Sequence, residues 1–270
     1  FNPSMHIGSF YFTPELALIA GNIFSYAVSP KLKLVLRLKE KVASAASVYD
    51  FWFTADKKLH FTPGQYLEWT LGHEYQDVRG MRRYLTIASS PTEEGIMAGV
   101  KFYPNSSTFK QSLMFLNPGD TIVASQLAGD FTMPKDPTKK LVFVAGGIGV
   151  TPFRSMIKYL LDKKEKRDIT VLYSNYSVED TAYMDLFTQA EKELGIKTVY
   201  TITNPPFPAN WTGKTGYIDE KMLRESVPDY KERLFYISGS HTMVVAFTET
   251  LTKMGVKRSS IIKDFFPGFV

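Results

Sequence analysis

A run of five apolar residues, Leu141-Val142-Phe143-Val144-Ala145, passes directly into Gly146-Gly147-Ile148-Gly149-Val150-Thr151-Pro152. No other stretch restricts the fold as strongly. An uninterrupted apolar strand belongs in a parallel sheet covered on both faces, whereas an alternating strand has one wet face. The glycines let backbone approach a pyrophosphate with no Cβ in the way. A helix opening at that point adds N–H donors and the positive end of its dipole. Thr151 is the predicted N-cap and Pro152 the predicted first helical residue. Pro152 stands where the usual dinucleotide fingerprint has its third glycine, so the loop is not that fingerprint. A tight strand–helix turn with no ligand is the plain alternative. The position after the first parallel strand favours a nucleotide.

The chain beyond this loop repeats strand and helix. A helix is predicted over 152–161, a buried strand over 169–173, further strands over 199–203 and 234–237, and a helix over 241–254 closed by Gly255. Ser177 with Asp180 forms a capping-box-like start for a helix ending at Gly195. This alternation predicts a doubly wound α/β domain. Gly213-Lys214-Thr215 fails as a P-loop, because Pro208 occupies the first glycine position and no strand precedes it.

The preceding hundred residues read differently. Lys31-Leu32-Lys33-Leu34 and Leu36-Arg37-Leu38-Lys39 alternate, with a slip at Val35. Strands follow at 48–53, 65–71, 84–88, 96–103 and 121–125, each bounded by Gly, Pro or Ser. One helix, over 108–116, is opened by Ser107 or Thr108. Short strands at this spacing predict an antiparallel barrel or sandwich. A Pro- and Lys-rich linker over 134–140 separates the halves. A length of 270 residues agrees with two domains.

Composition excludes whole classes of chemistry. The chain has no cysteine, which removes disulfides, thiolate metal sites, thiol catalysis and any iron–sulfur cluster of its own. The four histidines are scattered, and no metal site is expected. A net charge of +5 suits an anionic cofactor, an acidic partner or a membrane surface, and no nucleic-acid motif accompanies it. Residues 7–28 contain one charge, Glu15, and are followed by Lys31, Lys33, Arg37, Lys39 and Lys41. This pattern predicts the end of a membrane span with a cytoplasmic basic flank. A helix packed on the domain is the alternative. The chain opens on Phe1 rather than Met, which predicts a piece of a longer protein.

Several segments, in order, resemble the ferredoxin–NADP reductase superfamily of flavoproteins. Arg83-Tyr84-Leu85-Thr86-Ile87-Ala88-Ser89-Ser90-Pro91 resembles its flavin-binding segment, and the loop 146–152 its pyridine-nucleotide motif. Phe61-Thr62-Pro63-Gly64-Gln65-Tyr66 is similar to its early barrel turn, and Ser107-Thr108-Phe109-Lys110 to its flavin-phosphate helix start. Ser238-Gly239-Ser240-His241-Thr242-Met243 resembles its Cys-Gly-Pro nicotinamide segment. Asp264-Phe265-Phe266-Pro267-Gly268-Phe269 resembles its aromatic ending. The likeness covers residues 31–270. A weaker likeness links Thr13-Pro14-Glu15-Leu16-Ala17-Leu18-Ile19-Ala20-Gly21-Asn22-Ile23-Phe24 to a late span in membrane subunits of Rnf and sodium-pumping NADH:quinone reductase complexes.

The resemblance implies an antiparallel β-barrel flavin domain at 30–137 and a doubly wound α/β NAD(P)-binding domain at 138–270, behind an apolar segment at 1–29. It implies FAD, or FMN, bound through Arg83, Tyr84, Leu85, Thr86, Ser107, Thr108 and Phe109. It implies NADH or NADPH bound through Gly146, Gly147, Gly149, Thr151, Pro152, Tyr176 and Gly239. Phe265 and Phe266 would flank the flavin ring, and Thr151, Ser238 and Phe266 would stand at the hydride-transfer centre. Ser238 replaces the family's usual Cys and Ser240 its Pro. Tyr176 stands where relatives often carry Arg, which favours NADH. If Ile87-Ala88-Ser89-Ser90 sets the register, Leu85 takes the place of the ring-facing aromatic. A shift of one residue restores Tyr84, and strand alternation puts the two on opposite faces.

The implied function is oxidation of NAD(P)H through flavin, with electrons passed to a ferredoxin-like protein, a quinone or a membrane portion of the same protein. The implied location is a membrane-associated reductase domain on the cytoplasmic side. A non-catalytic flavin- or nucleotide-binding regulatory module is the alternative.

Overall fold

In a computed structural model of the chain, residues 5–7, 10–28 and 33–266 are described, with side chains for 13–27 and 33–264. A short antiparallel pair, β1 (Met5–Ile7) and β2 (Phe10–Phe12), leads into α1 (Pro14–Val28). Five strands follow: β3 (Lys33–Ala45), β4 (Val48–Ala55), β5 (Tyr66–Thr70), β6 (Arg82–Thr86) and β7 (Ile96–Lys101). After α2 (Thr108–Phe115), β8 (Thr121–Ala128) completes a six-stranded antiparallel sheet in the order β6-β5-β8-β3-β4-β7. The sheet curls until its edges approach. Just past β6, Ala88 N–H donates to Met97 O at 2.8 Å.

The sheet forms because its strands alternate. Leu34, Leu36 and Leu38 are buried while Lys33, Val35, Arg37 and Lys39 face out. The slip expected at Val35 is absent: Val35 is an apolar residue on the wet face, and the period of two is unbroken. The inward residues pack with Phe51, Phe53, Trp69 and Phe109 into one core. Burying each of these large side chains contributes about 1.5–3 kcal/mol.

The second sheet is parallel throughout. It comprises β9 (Leu141–Gly146), β10 (Ile169–Asn175), β11 (Lys197–Ile202), β12 (Lys214–Thr215), β13 (Leu234–Ser240) and β14 (Ile261–Phe266), in the order β12-β11-β10-β9-β13-β14. Helices α3 (Thr151–Lys163) and α4 (Met184–Leu194) cover one face, and α5 (Glu220–Ser226) and α6 (His241–Lys253) the other. Leu141 through Ala145 are therefore buried on both sides, as their unbroken apolar run requires. Phe153 of α3 stacks on Phe143 of β9 with ring centroids 4.6 Å apart, which fixes the helix over the strand.

Two local starts differ from the sequence expectation. A 3₁₀ turn over Gly147–Val150 precedes α3, so Val150 is the N-cap position and Thr151 the first helical residue. The Thr151 hydroxyl donates backwards to Ile148 O at 3.1 Å instead of capping. Helix α4 begins at Met184, not near Ser177, after Tyr183 in the left-handed region at φ 62°. Asp180 is drawn away from any capping role by Lys101, at 3.0 Å, and by the Ser47 hydroxyl, at 2.6 Å. Ser107 caps α2, Ser240 caps α6, and Gly195 ends α4 at φ 75°.

The predicted span is corrected as well. Helix α1 has 15 residues, and no helix among the described residues is long and apolar enough to cross a membrane. At 1.5 Å per residue it is roughly 22 Å long, short of the roughly 30 Å hydrocarbon core. Nor does it pack as the alternative supposed: Leu16, Leu18, Ile19, Ile23 and Phe24 are all exposed.

Candidate functional site

The order of the parallel sheet reverses at β9, which has β10 on one side and β13 on the other. Ligands in such sheets bind at the carboxyl ends of the strands flanking the reversal. The loop 146–151 leaves β9 at this point, and Ser238-Gly239-Ser240 leaves β13 beside it. Two clefts meet at the loop. One lies against β6, β7 and α2 of the antiparallel domain, and the other over the carboxyl ends of β9, β10 and β13.

The first cleft, about 270 Å³, is bordered by Ile148 and Thr151 on one side and by β6, β7 and α2 on the other. Five cations line it: Arg79, Arg82, Arg83, Lys101 and Lys110. Their environments differ. The Arg83 side chain is only 15% exposed, and it pairs with Asp77 at 3.1 Å. It also donates to Gly80 O at 2.9 Å and Arg82 O at 2.7 Å, and lies over the Phe109 ring. Arg83 thereby binds the 77–82 loop to α2. The Arg82 side chain is 68% exposed, with Glu68 3.5 Å away. Lys110 donates to Lys101 O at 2.7 Å. Burial, then the nearby Arg79, Arg83 and Lys101 charges, lower its pKa to about 8.

Strand pairing resolves how Tyr84 and Leu85 face. Leu85 pairs with buried Leu67 and packs on the barrel core. Tyr84 pairs with Glu68 on the other face, donates its hydroxyl to Glu68 at 3.0 Å, and remains half exposed. The carboxylate at its hydroxyl raises the Tyr84 pKa. Thr86 is buried and lines the same cleft. Ser107 accepts from Lys110 N. Thr108 Oγ1 accepts from Asp77 N at 3.1 Å and lies 3.0 Å from His73 Nε2, so it holds the loop that Arg83 also holds.

The second cleft, about 500 Å³, is lined by Gly146, Gly147, Asn175, Tyr176, Ser240 and Met243, among others. Gly147 has φ 53°, and a Cβ there would meet nothing within 4 Å, so the space above it is open to a ligand. Gly149 is needed for packing: a Cβ there would overlap the Ser238 carbonyl oxygen and lie 2.7 Å from Gly239 Cα. Pro152 is buried in the first turn of α3. Tyr176 is exposed at the rim. Ser238 is fully buried, opposite Asp264 in the β13–β14 ladder. Burial pushes the Asp264 carboxyl up to about 6, while the Ser238 hydroxyl pulls it down. Phe265 and Phe266 pair with Gly239 and Ser240 through their backbones, and their side chains lie outside the described residues. The 267–269 part of the aromatic ending lies outside them too. No group of three or more acidic or histidine side chains among the described residues is placed to hold a metal.

Nothing in the sequence singles out Arg82, the more exposed arginine of the cleft pair. Two adjacent arginines look equivalent there, and only the alternation of β6 and the Asp77 pairing separate them. The cleft joins a basic wall to a half-exposed tyrosine ring, which is what a phosphorylated aromatic cofactor requires. The second offers glycine backbone and an open space beside a helix start, which suits a pyrophosphate.

Comparison with known proteins agrees with this geometry. Residues 143–249 match the family described as oxidoreductase NAD-binding domain. One subunit of the Na⁺-translocating NADH-quinone reductase of Psychrobacter cryohalolentis is 31% identical over 202 residues, covering 72% of this chain and 47% of that protein. The flavohemoprotein of Oceanobacillus iheyensis is 24% identical over 234 residues, covering 84% and 57%. The chain thus spans about half the length of these relatives. The flavohem-like FAD/NAD-binding domain of the Vibrio cholerae nitric oxide dioxygenase superposes with a TM-score of 0.75 at 19% identity, covering 86% of this chain and 98% of that one. The chain thus carries an oxidoreductase NAD-binding domain homologous to those of flavohemoproteins and of the matching Na⁺-translocating NADH-quinone reductase subunit, in a ferredoxin reductase-like fold.

Proposed function

We propose that the chain oxidises a nicotinamide nucleotide through a bound FAD and passes the electrons to a separate acceptor. The observation that carries this reading is the meeting of the two clefts at the loop 146–151. A bound flavin supplies the step between two-electron and one-electron chemistry. The residues supply position. Arg82 and the α2 start take the flavin phosphates, with Arg83 holding the loop that presents them. Tyr84 lies against the ring, and Leu85 and Thr86 complete the pocket. Gly147 and the start of α3 take the nucleotide pyrophosphate. Thr151 borders the nicotinamide, with Ser238 buried behind the loop at the end of β13.

NADH is the proposed donor. Of the described residues lining the second cleft only Lys101 is cationic, and it is paired with Asp180. Lys214 on β12 faces Glu225 at 3.0 Å. The lack of cysteine leaves the one-electron centre to another domain, a soluble carrier or a quinone.

The exposed apolar residues of α1 and the basic outer face of β3 support attachment to a membrane at its cytoplasmic surface. Deleting residues 1–29 tests this part: the remainder should stay monodisperse without detergent and lose binding to anionic vesicles. Aggregation of that fragment would make α1 a structural element of the reductase. Turnover of NADH with ferricyanide tests the main reading. A protein that binds flavin and NADH without turnover would instead be a regulatory module.

A further inference from the structure

We infer that the hydrogen bond between Tyr183 and Asp50 positions the nucleotide loop for hydride transfer, by holding Thr151 at a fixed distance from the strand that borders the flavin cleft. The inference rests on the oxidoreductase reading above.

Asp50 lies on β4 of the antiparallel domain and is only 6% exposed. Its carboxylate accepts from the Ser44 hydroxyl and from the Tyr183 hydroxyl, the latter at 2.5 Å. Tyr183 comes from the other domain. It sits in the left-handed region at φ 62°, a conformation that bulky residues keep only where the surroundings enforce it. In the β4–β7 ladder, Asp50 is opposite Gly99. A Cβ on Gly99 would crowd the Tyr183 hydroxyl, lie 2.8 Å from Thr151 Cγ2 and 3.2 Å from Asp50 Oδ1. The cleft strand, the nucleotide loop and the Tyr183–Asp50 pair thus converge on one bare Cα. Gly99 and Thr151 both line the first cleft.

Cohesion alone does not explain the pair. Burying a carboxylate is costly, and an apolar pair of similar volume often holds two surfaces as well. What a hydrogen bond adds is a set length and direction. The domains also have other links. Ser155 donates to Ser89 O at 2.6 Å, Arg154 pairs with Glu93, and Lys101 pairs with Asp180. Loss of the Tyr183 bond therefore leaves the domains together and frees the loop to shift. Transfer between bound groups needs approach to about 3–3.5 Å, and a misplacement of about 1 Å costs on the order of a hundredfold in rate.

The test uses the full chain with Tyr183→Phe, Asp50→Ala and Asp50→Asn. In anaerobic stopped-flow reduction by NADH, Tyr183→Phe and Asp50→Ala should lower the limiting rate about tenfold or more. Flavin content and NADH affinity should stay within about twofold of wild type. Asp50→Asn keeps an amide oxygen for the Tyr183 hydroxyl and should restore most of the rate. In the flavin-free chain, amide exchange over 146–151 should quicken in Tyr183→Phe and not in Asp50→Asn. An unchanged rate in Tyr183→Phe overturns the positioning role alone. So does an Asp50→Asn rate as low as that of Asp50→Ala, or a rate loss matched by loss of flavin or NADH affinity. Wild-type protein that holds flavin and is reduced by neither nucleotide overturns the oxidoreductase reading together with this inference.

Discussion

Gly149 packs against the backbone of Ser238 so closely that a side chain of any size at 149 would overlap the Ser238 carbonyl. This contact joins the loop after β9 to the end of β13, the two strand ends that form the second cleft.

Gly149→Ala should therefore act through packing. Overfilling a tight site costs about 1–3 kcal/mol, and the loop should move off β13. Thermal or urea unfolding should show the loss of stability, together with slower reduction by NADH. Gly147→Asn is the contrast. Asn tolerates the left-handed region and nothing lies near its Cβ, so stability should change by less than about 1 kcal/mol while NADH affinity falls. Equal effects of both variants on stability would contradict the separation of roles.

Arg82→Ala should weaken flavin binding by about 1.5–3 kcal/mol, the worth of a charge-assisted contact, with the unfolding midpoint nearly unchanged. Arg83→Ala should lower both, because it also takes a donor from Asp77 and from the Arg79, Gly80 and Arg82 carbonyls. Flavin titration and urea unfolding of both variants check this. If Arg82→Ala binds flavin as wild type does, Arg82 is not the phosphate ligand.

Lys110 is held at about pH 8 by burial and by neighbouring cations. An arriving phosphate stabilises its charged form, so flavin binding near pH 8 should take up protons and weaken as pH rises above that value. Calorimetric titration in two buffers of different ionisation enthalpy reads the uptake directly. Identical heats in both buffers would exclude Lys110 from the phosphate site.

Asp264, raised by burial to about 6, lowers stability once ionised. The folded chain holds this proton more tightly than the unfolded chain does. Stability should thus fall as pH rises from about 4 to about 6, by roughly 3 kcal/mol at most. Asp264→Asn should match wild type near pH 4 and exceed it in urea unfolding at pH 7. A variant that is less stable at pH 7 would show that the carboxylate is favourably paired.

The sequence made local features legible and left long-range ones hidden. The alternation of Leu34, Leu36 and Leu38, the unbroken run into Gly146 and the Ser107 cap each depend on residues a few positions apart. The start of α4 does not. Asp180 is claimed by Ser47 and Lys101, 133 and 79 positions away, so the capping pattern at Ser177 had no means of surviving. The roles of Arg82 and Arg83 depend on a loop folding back to bring Asp77 to one of them. Hydropathy marked 7–28 as apolar but gave no helix length, and α1 is 15 residues. β12 has two residues, too few for any period to register.

The most direct test of the account is an anaerobic titration of the purified chain, reconstituted with FAD, by NADH. The account predicts one bound flavin per chain, whose visible absorption bleaches stoichiometrically with NADH and returns on addition of ferricyanide. A chain that takes up no flavin, or whose bound flavin stays oxidised in excess NADH and NADPH, would contradict it.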